Sequence, residues 1–162
     1  MLIVCKYIKH CENLYKYLQS RNNGNRKASI AFVHVDTPSK QRNKILSDFR
    51  EGKIEILIST TIIARGKNFP LLKSMINVSG FKAEEKTIQF LGRLVRLHKS
   101  KSKAYLDDIQ YPGYYLGKHS RARIRSYKKQ GYKVILINKP THLWKYEVFP
   151  DTDDTLIRIT KK

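Results

Sequence analysis

The stretch Leu2-Ile3-Val4-Cys5-Lys6-Tyr7-Ile8-Lys9-His10-Cys11-Glu12-Asn13-Leu14-Tyr15-Lys16-Tyr17-Leu18 changes its apolar period partway along. Leu2, Ile3, Val4 and Cys5 form an unbroken apolar run, the pattern of a strand covered on both faces. From Ile8 the apolar residues recur at spacings of three and four, through Cys11, Leu14, Tyr15 and Leu18, and so share one stripe of a helix. A doubly covered strand that feeds an amphipathic helix is the opening unit of a parallel α/β sheet.

The alternation continues outward from that unit. Residues 21–27, with Asn22, Asn23, Gly24 and Asn25, form a polar turn, and residues 28–35 a second strand. Thr37 is expected to N-cap the next helix, with Pro38 at its first position. Ile45, Leu46 and Phe49 supply that helix's buried face, and Gly52 ends it. Residues 54–58, 75–78 and 104–109 read as three further strands. Between the last two, Ile88, Leu91, Leu94 and Val95 give a helix its apolar side. The predicted fold is α/β, a mainly parallel sheet with helices on both faces, and such sheets bind ligands at the carboxyl ends of their strands.

From Tyr111 the character changes. Pro112 and Gly113 make a turn, residues 119–130 read as a basic helix closed by Gly131, and residues 134–137, 146–149 and 156–159 read as short strands. The expected organisation is a domain over 1–110 followed by an extension over 111–162. That extension either continues the sheet or forms a small appendage.

Composition narrows the partners. The chain has 162 residues, 33 Lys and Arg against 13 Asp and Glu, and a net charge of +20. Its 41% hydrophobic content supports one real core and argues against disorder. No apolar run nears the ~20 residues of a membrane span, and Lys6 breaks the start that a signal peptide would need. Cys5 and Cys11 lack the spacing of a zinc site or redox pair and read as packing residues in a reduced, cytoplasmic protein. A charge this large repels itself unless a polyanion sits on it, and nucleic acid is the commonest such partner. Residues 82–133 carry 14 basic against 4 acidic side chains, the densest basic segment.

Two segments carry chemistry. In Gln89-Phe90-Leu91-Gly92-Arg93-Leu94-Val95-Arg96, the arginines lie three apart on one helical face, and Gly92 leaves room for close approach. Paired guanidinium groups suit a phosphate chain, as an arginine finger does in phosphoryl transfer; an ordinary basic helix face has the same spacing. After the third strand comes Ser59-Thr60-Thr61-Ile62-Ile63-Ala64-Arg65-Gly66-Lys67-Asn68. Its hydroxyls and backbone N–H groups can meet a phosphate, Arg65 and Gly66 allow a tight charged turn, and Asn68 suits a sugar hydroxyl. A plain surface loop fits that composition too.

Together and in this order, the two segments resemble motifs V and VI of superfamily 2 helicases, with motif VI complete at Gln89, Gly92, Arg93 and Arg96. Residues 2–18 resemble motif IV and its helix, and His34, Gln41, Arg42, Phe49 and Gly52 resemble the stretch ahead of motif V. The resemblance runs from about residue 2 to Asp108 and implies the second RecA-like domain of a two-domain motor. The tail, with Asp107, Asp108, Tyr114, His119, Ser120, Arg123, Tyr127, Gly131 and Val134, resembles the end of phage UvsW-type DNA helicases.

The resemblance implies that Arg93 and Arg96 reach the phosphates of an ATP shared with a missing N-terminal RecA-like domain, with Gln89 orienting them. It implies that Asn68 approaches the ribose, that Arg65 and Gly66 shape the turn, and that Thr60 contacts a nucleic-acid phosphate beside Thr61. Asn68 and Thr61 stand where Asp is frequent in the family, and Val35 where many relatives have Gly. ATP and Mg²⁺ would be bound mainly by the missing domain, since no Gly-x-x-x-x-Gly-Lys-Ser/Thr loop occurs here. The chain alone is therefore not expected to hydrolyse ATP. The expected partner is single-stranded or branched DNA, RNA being the alternative, in a monomeric protein of a bacterial or phage-infected cell. A non-enzymatic nucleic-acid-binding module is the rival reading.

Further residues are weighed on spacing. Lys118, Arg121, Arg125 and Lys128 or Lys129 form a cationic stripe that can track a phosphate backbone, with Ile124 and Tyr127 facing inward. Lys99, Lys101 and Lys103 form a second cluster. Tyr111, Tyr114 and Tyr115 read as packing residues, with base stacking as the other reading. His98 and His119 read as surface or capping residues. Asp107 and Asp108 read as a solvated strand end, since no third ligand stands at useful spacing for a metal.

Overall fold

A computed structural model describes residues 1–64, 69–82, 92, 104–111, 113–137 and 155–160. The strands are β1 (Leu2–Cys5), β2 (Ile30–Val33), β3 (Ile56–Thr60), β4 (Ser74–Asn77), β5 (Tyr105–Gln110), β6 (Lys133–Ile137) and β7 (Thr155–Thr160). They form one sheet in the order β2-β3-β1-β4-β5-β7-β6. The first five are parallel neighbours, whereas β7 runs antiparallel to both β5 and β6. The tail therefore continues the sheet, resolving the choice its sequence left open. The expected strand over 146–149 lies outside the described residues.

Side-chain alternation decides which helix covers which face. Ile3 and Cys5 of β1 join Ile58 of β3, and Cys11, Leu14, Tyr15 and Leu18 of α1 (Ile8–Arg21) close that face. Leu2 and Val4 point the other way, with Leu57, Met75 and Leu106, toward Leu46 of α2 (Ser39–Arg50) and Tyr127 of α3 (Tyr114–Lys129). The period of two along the strands thus meets the helical stripes read from the sequence. Both cysteines are buried and free, and hydrogen bonding with Cys11, then burial, pushes the Cys5 thiol up. No helix of the described residues is long and apolar enough to cross a membrane.

Local chemistry sets the ends. Thr37 does not cap α2. Its Oγ1 accepts the His34 N–H at 3.0 Å while its own N–H donates back to the His34 carbonyl. That closed turn engages Thr37 and also stops β2 at Val33, short of the expected residue 35. The cap position falls to Pro38, whose carbonyl accepts the Arg42 N–H at 2.8 Å. At the far end Gly52 has φ +82°, its N–H bonds to the Phe49 carbonyl, and the Lys53 N–H reaches back to Asp48. This is a Schellman cap, which needs the left-handed residue glycine supplies. α3 ends the same way, Gly131 bonding to Lys128 and Tyr132 to Tyr127. It begins five residues ahead of the expected start, because the chain turns into it at Gly113, φ +81°.

Candidate nucleic-acid interface and the clasp beneath it

Because the core strands are parallel, their carboxyl ends share one edge. Cys5 pairs with Thr60, Val4 with Asn77, and Asn77 with Asp108, so the residues that follow each strand open on a common rim. Thr60 ends β3 with its side chain almost buried, and Thr61 opens a 3₁₀ turn half-buried beside it. The Ser59 hydroxyl donates to the Thr60 carbonyl at 2.9 Å. Between this turn and α2 lies a cavity of about 360 Å³, lined among others by Arg42, Asn43, Ser59 and Ile62. Arg42 is held toward its mouth by bonds to the Val35 carbonyl and the Ser39 hydroxyl, each 3.3 Å.

The remaining residues expected at the ATP cleft, Arg65, Gly66, Asn68, Gln89, Arg93 and Arg96, lie outside the described residues, as do Lys99, Lys101, Lys103 and His98. Gly92 is described: it is helical and exposed, and a Cβ there would meet no described atom within 4 Å.

α3 has two chemically opposite faces. Lys118, Arg121, Arg125, Lys128 and Lys129 are all exposed, while Ser120, Arg123, Ser126 and Tyr127 are buried and Ile124 packs against the core. Arg123 is the member of this basic helix that turns inward. Its Nε donates to Asp108 Oδ2 at 2.8 Å and its Nη2 to Asp108 Oδ1 at 3.1 Å, with both side chains fully buried. Nη1 reaches the Phe81 carbonyl at 2.8 Å, and Nη2 also bonds to the Ile109 carbonyl and the Ser120 hydroxyl. On the carboxylate side, the Tyr127 hydroxyl donates to Oδ2 at 2.5 Å and Asn77 Nδ2 to Oδ1 at 3.3 Å. A buried charge pair is tolerated only when such bonds satisfy its remaining valences, and here the guanidinium fork is filled.

This corrects the reading of Asp107 and Asp108 as a solvated strand end. Asp108 is fully buried, because α3 lies directly across its face of β5, and Asp107, on the opposite face, is nearly so. A signal was present in the sequence: Arg123 and Tyr127 are four apart on the stripe that holds Ser120, so one helix face carries both a cation and a hydroxyl donor. Among the described residues no group of three His, Cys, Asp or Glu stands close enough to hold a metal.

The clasp also reaches the exit of β4. The Tyr111 hydroxyl donates to the Val78 carbonyl at 3.3 Å, His119 Nδ1 lies 3.2 Å from the Gly80 carbonyl, and Arg123 holds Phe81. Tyr111 packs as expected, its ring beside Gly80 at the distance where a Cβ would be in contact.

Burial, with the charge and hydrogen bond of Asp108, raises the Tyr127 hydroxyl well above its ordinary pKa. A raised pKa in the fold favours the protonated form there. The stabilisation is complete below the unfolded value near 10 and is lost as pH climbs above it. Urea melts between pH 8 and 11.5 should therefore show stability falling from about pH 10, with a shallower fall in Tyr127→Phe over the same window.

The comparison with known families settles the setting of this site. Residues 1–98 match the family model of the helicase conserved C-terminal domain, more than half of the chain. This chain belongs to that family. A curated relative is the probable ATP-dependent RNA helicase ddx41 of Dictyostelium discoideum, 26% identical over 121 residues, which are 68% of this chain and 17% of that protein. Among solved structures, a DEAD box protein from Methanococcus jannaschii superposes with a TM-score of 0.61 at 26% identity, over 78% of this chain and 32% of that one. The C-terminal domain of the DEAD-box protein Dbp5 gives 0.59 at 22% identity, over 80% and 69%, a likeness of fold. The helicase C-terminal domain described here therefore has the expected RecA-like architecture, and spans about a fifth or less of the curated relatives it matches. The family match ends at residue 98, so β5, α3 and the Asp108 clasp lie beyond it.

Proposed function

We propose that the chain is the C-terminal motor half of an ATP-dependent superfamily 2 helicase or translocase, acting with an N-terminal RecA-like domain. The carrying observation is the family match over residues 1–98, which contains both the Thr60–Asn68 stretch and the Gln89, Gly92, Arg93 and Arg96 set. In this reading Arg93 and Arg96 offset charge on the transferring phosphate, Gln89 orients them, and Asn68 meets the ribose beside the Arg65-Gly66 turn. ATP and Mg²⁺ are held mainly by the N-terminal domain. Cycles of closure and opening between the two halves then move the motor along a strand.

Nucleic acid runs over the strand-end rim at Thr60 and Thr61 and along the outer face of α3, where Lys118, Arg121, Arg125 and Lys128 stand free to pair phosphates. DNA is the first reading. Its support is the resemblance of the tail residues Asp108, His119, Arg123, Tyr127 and Gly131 to UvsW-type DNA helicases. RNA is the second, supported by relatives that are RNA helicases by name.

Fluorescence anisotropy with single-stranded DNA, forked DNA and RNA of one sequence, over a salt series, tests both points. The quadruple change Lys118→Ala, Arg121→Ala, Arg125→Ala, Lys128→Ala should weaken binding and flatten the plot of log K against log salt by up to about 3, at ~0.7 per single-strand phosphate contact. Unchanged binding in that variant removes α3 from the track. Tighter binding of RNA than of DNA replaces the first reading with the second.

A further inference from the structure

The start of α3 and the end of β1 bring exposed aromatic rings to the same rim. Tyr114 is 82% exposed, Tyr115 69% and Tyr7 62%, whereas Tyr111 and Tyr127 of the same region are packed inward. β5 lies two strand positions from β1, with β4 between them, and all three are parallel. The loop after β1 that holds Tyr7 and the turn after β5 that delivers Tyr114 and Tyr115 therefore leave the sheet on one edge, about 10 Å apart at ~4.8 Å per strand. Lys6 adds a cation beside Tyr7: its ammonium sits 5.0 Å from that ring's centroid, and hydrogen bonding and charge at Tyr7 raise its pKa.

Two of the rings are held outward by α3. Tyr115 leans on His119 at 4.5 Å between centroids, and His119 is itself anchored at the Gly80 carbonyl, so the ring is propped from below. Tyr114 stands four residues before Lys118 and so begins the same stripe as Lys118, Arg121 and Arg125. The clasp at Arg123 holds that helix face outward. The segment that carries Tyr114, Tyr115 and α3 is one-signed: residues 109–146 contain no Asp or Glu.

We infer that Tyr7, Tyr114 and Tyr115 form a base-stacking platform for single-stranded nucleic acid, at the head of the cationic track on α3. Exposed aromatics beside a basic groove are what sequence-tolerant single-strand binding requires, since every base offers a π-face. The charge argues for this occupant over a protein partner, because the segment that delivers Tyr114, Tyr115 and the cationic stripe holds cations and rings with no Asp or Glu from residue 109 to 146. The inference rests on the nucleic-acid reading above and adds contacts to bases, which the cationic stripe does not make.

The test separates the two. Anisotropy binding of the 162-residue chain is measured with a single-stranded oligonucleotide and with a phosphodiester chain of equal length that lacks bases. The intact chain should prefer the base-bearing strand by about tenfold or more, the lower part of the range for ring–base stacking. The triple change Tyr7→Ala, Tyr114→Ala, Tyr115→Ala should abolish that preference and leave binding to the base-free chain unchanged, while Tyr115→Phe keeps it. These side chains are exposed, so circular dichroism melts should match the parent. Equal binding of the two probes by the parent chain overturns the platform and leaves the cationic track standing, as does equal weakening of both probes by the tyrosine changes. Binding to neither probe overturns both.

Discussion

Asp108→Ala is expected to lower the unfolding free energy by about 3–5 kcal/mol, the range for removing one partner of a buried ion pair. Domains of this size are stable by only ~5–15 kcal/mol, so the loss takes a large share of the total. The reason is what remains. Arg123, fully buried, would keep its charge, because a guanidinium is not deprotonated in proteins, and would lose the carboxylate that offsets the cost of its burial. Tyr127 and Asn77 would lose an acceptor at the same moment. Arg123→Ala should cost a similar amount by the converse route, and should also release the Phe81 and Ile109 carbonyls. Asp108→Asn, which keeps an acceptor without the charge, should fall between parent and Asp108→Ala. Urea denaturation followed by far-UV circular dichroism measures all three. A loss below about 1 kcal/mol in Asp108→Ala, the worth of an exposed pair, would show that the clasp is not what holds α3 on the sheet.

In the two-domain motor proposed above, Arg93→Ala is expected to reduce the single-turnover rate of ATP hydrolysis by about 10³-fold or more. An arginine finger acts on charge that develops in the transition state, so the ATP dissociation constant should change far less than the rate. Arg93→Lys should not restore the rate, because a lysine ammonium cannot make the bidentate contact of a guanidinium. The melting temperature should stay that of the parent, which separates this variant from those of the clasp. A rate within threefold of the parent would remove Arg93 from the phosphate-facing role.

The two predictions draw on different kinds of information. The role proposed for Arg93 and Arg96 rests on a local pattern, since a spacing of three gives a shared face wherever the segment is helical, whatever the rest of the chain does. The clasp was not legible in that way. Asp108 ends a strand and Arg123 sits three turns into a helix, and no local rule states that a strand end and a helix face will meet. An Asp in a buried clasp and one at a solvated strand end are the same letter in a sequence. The difference lies in the turn at Gly113, which folds α3 back over β5.

The same division runs through the fold. Leu2, Ile3, Val4 and Cys5, followed by the stripe from Ile8 to Leu18, determined by themselves that a doubly covered strand leads into α1. Backbone period and side-chain polarity are properties of neighbours a few residues apart. Gly52 and Gly131 determined two helix ends on the same local ground, since only a residue at ease with positive φ closes a Schellman cap. Thr37 shows the limit: its hydroxyl suited a cap, and a competing turn with His34 took it. What only the tertiary structure decided was long-range. β7 enters between β5 and β6 although β6 precedes it, both being apolar strands that the sequence alone leaves interchangeable. Arg123 alone among the cations of α3 turns inward, because that position faces Asp108 and its neighbours face water.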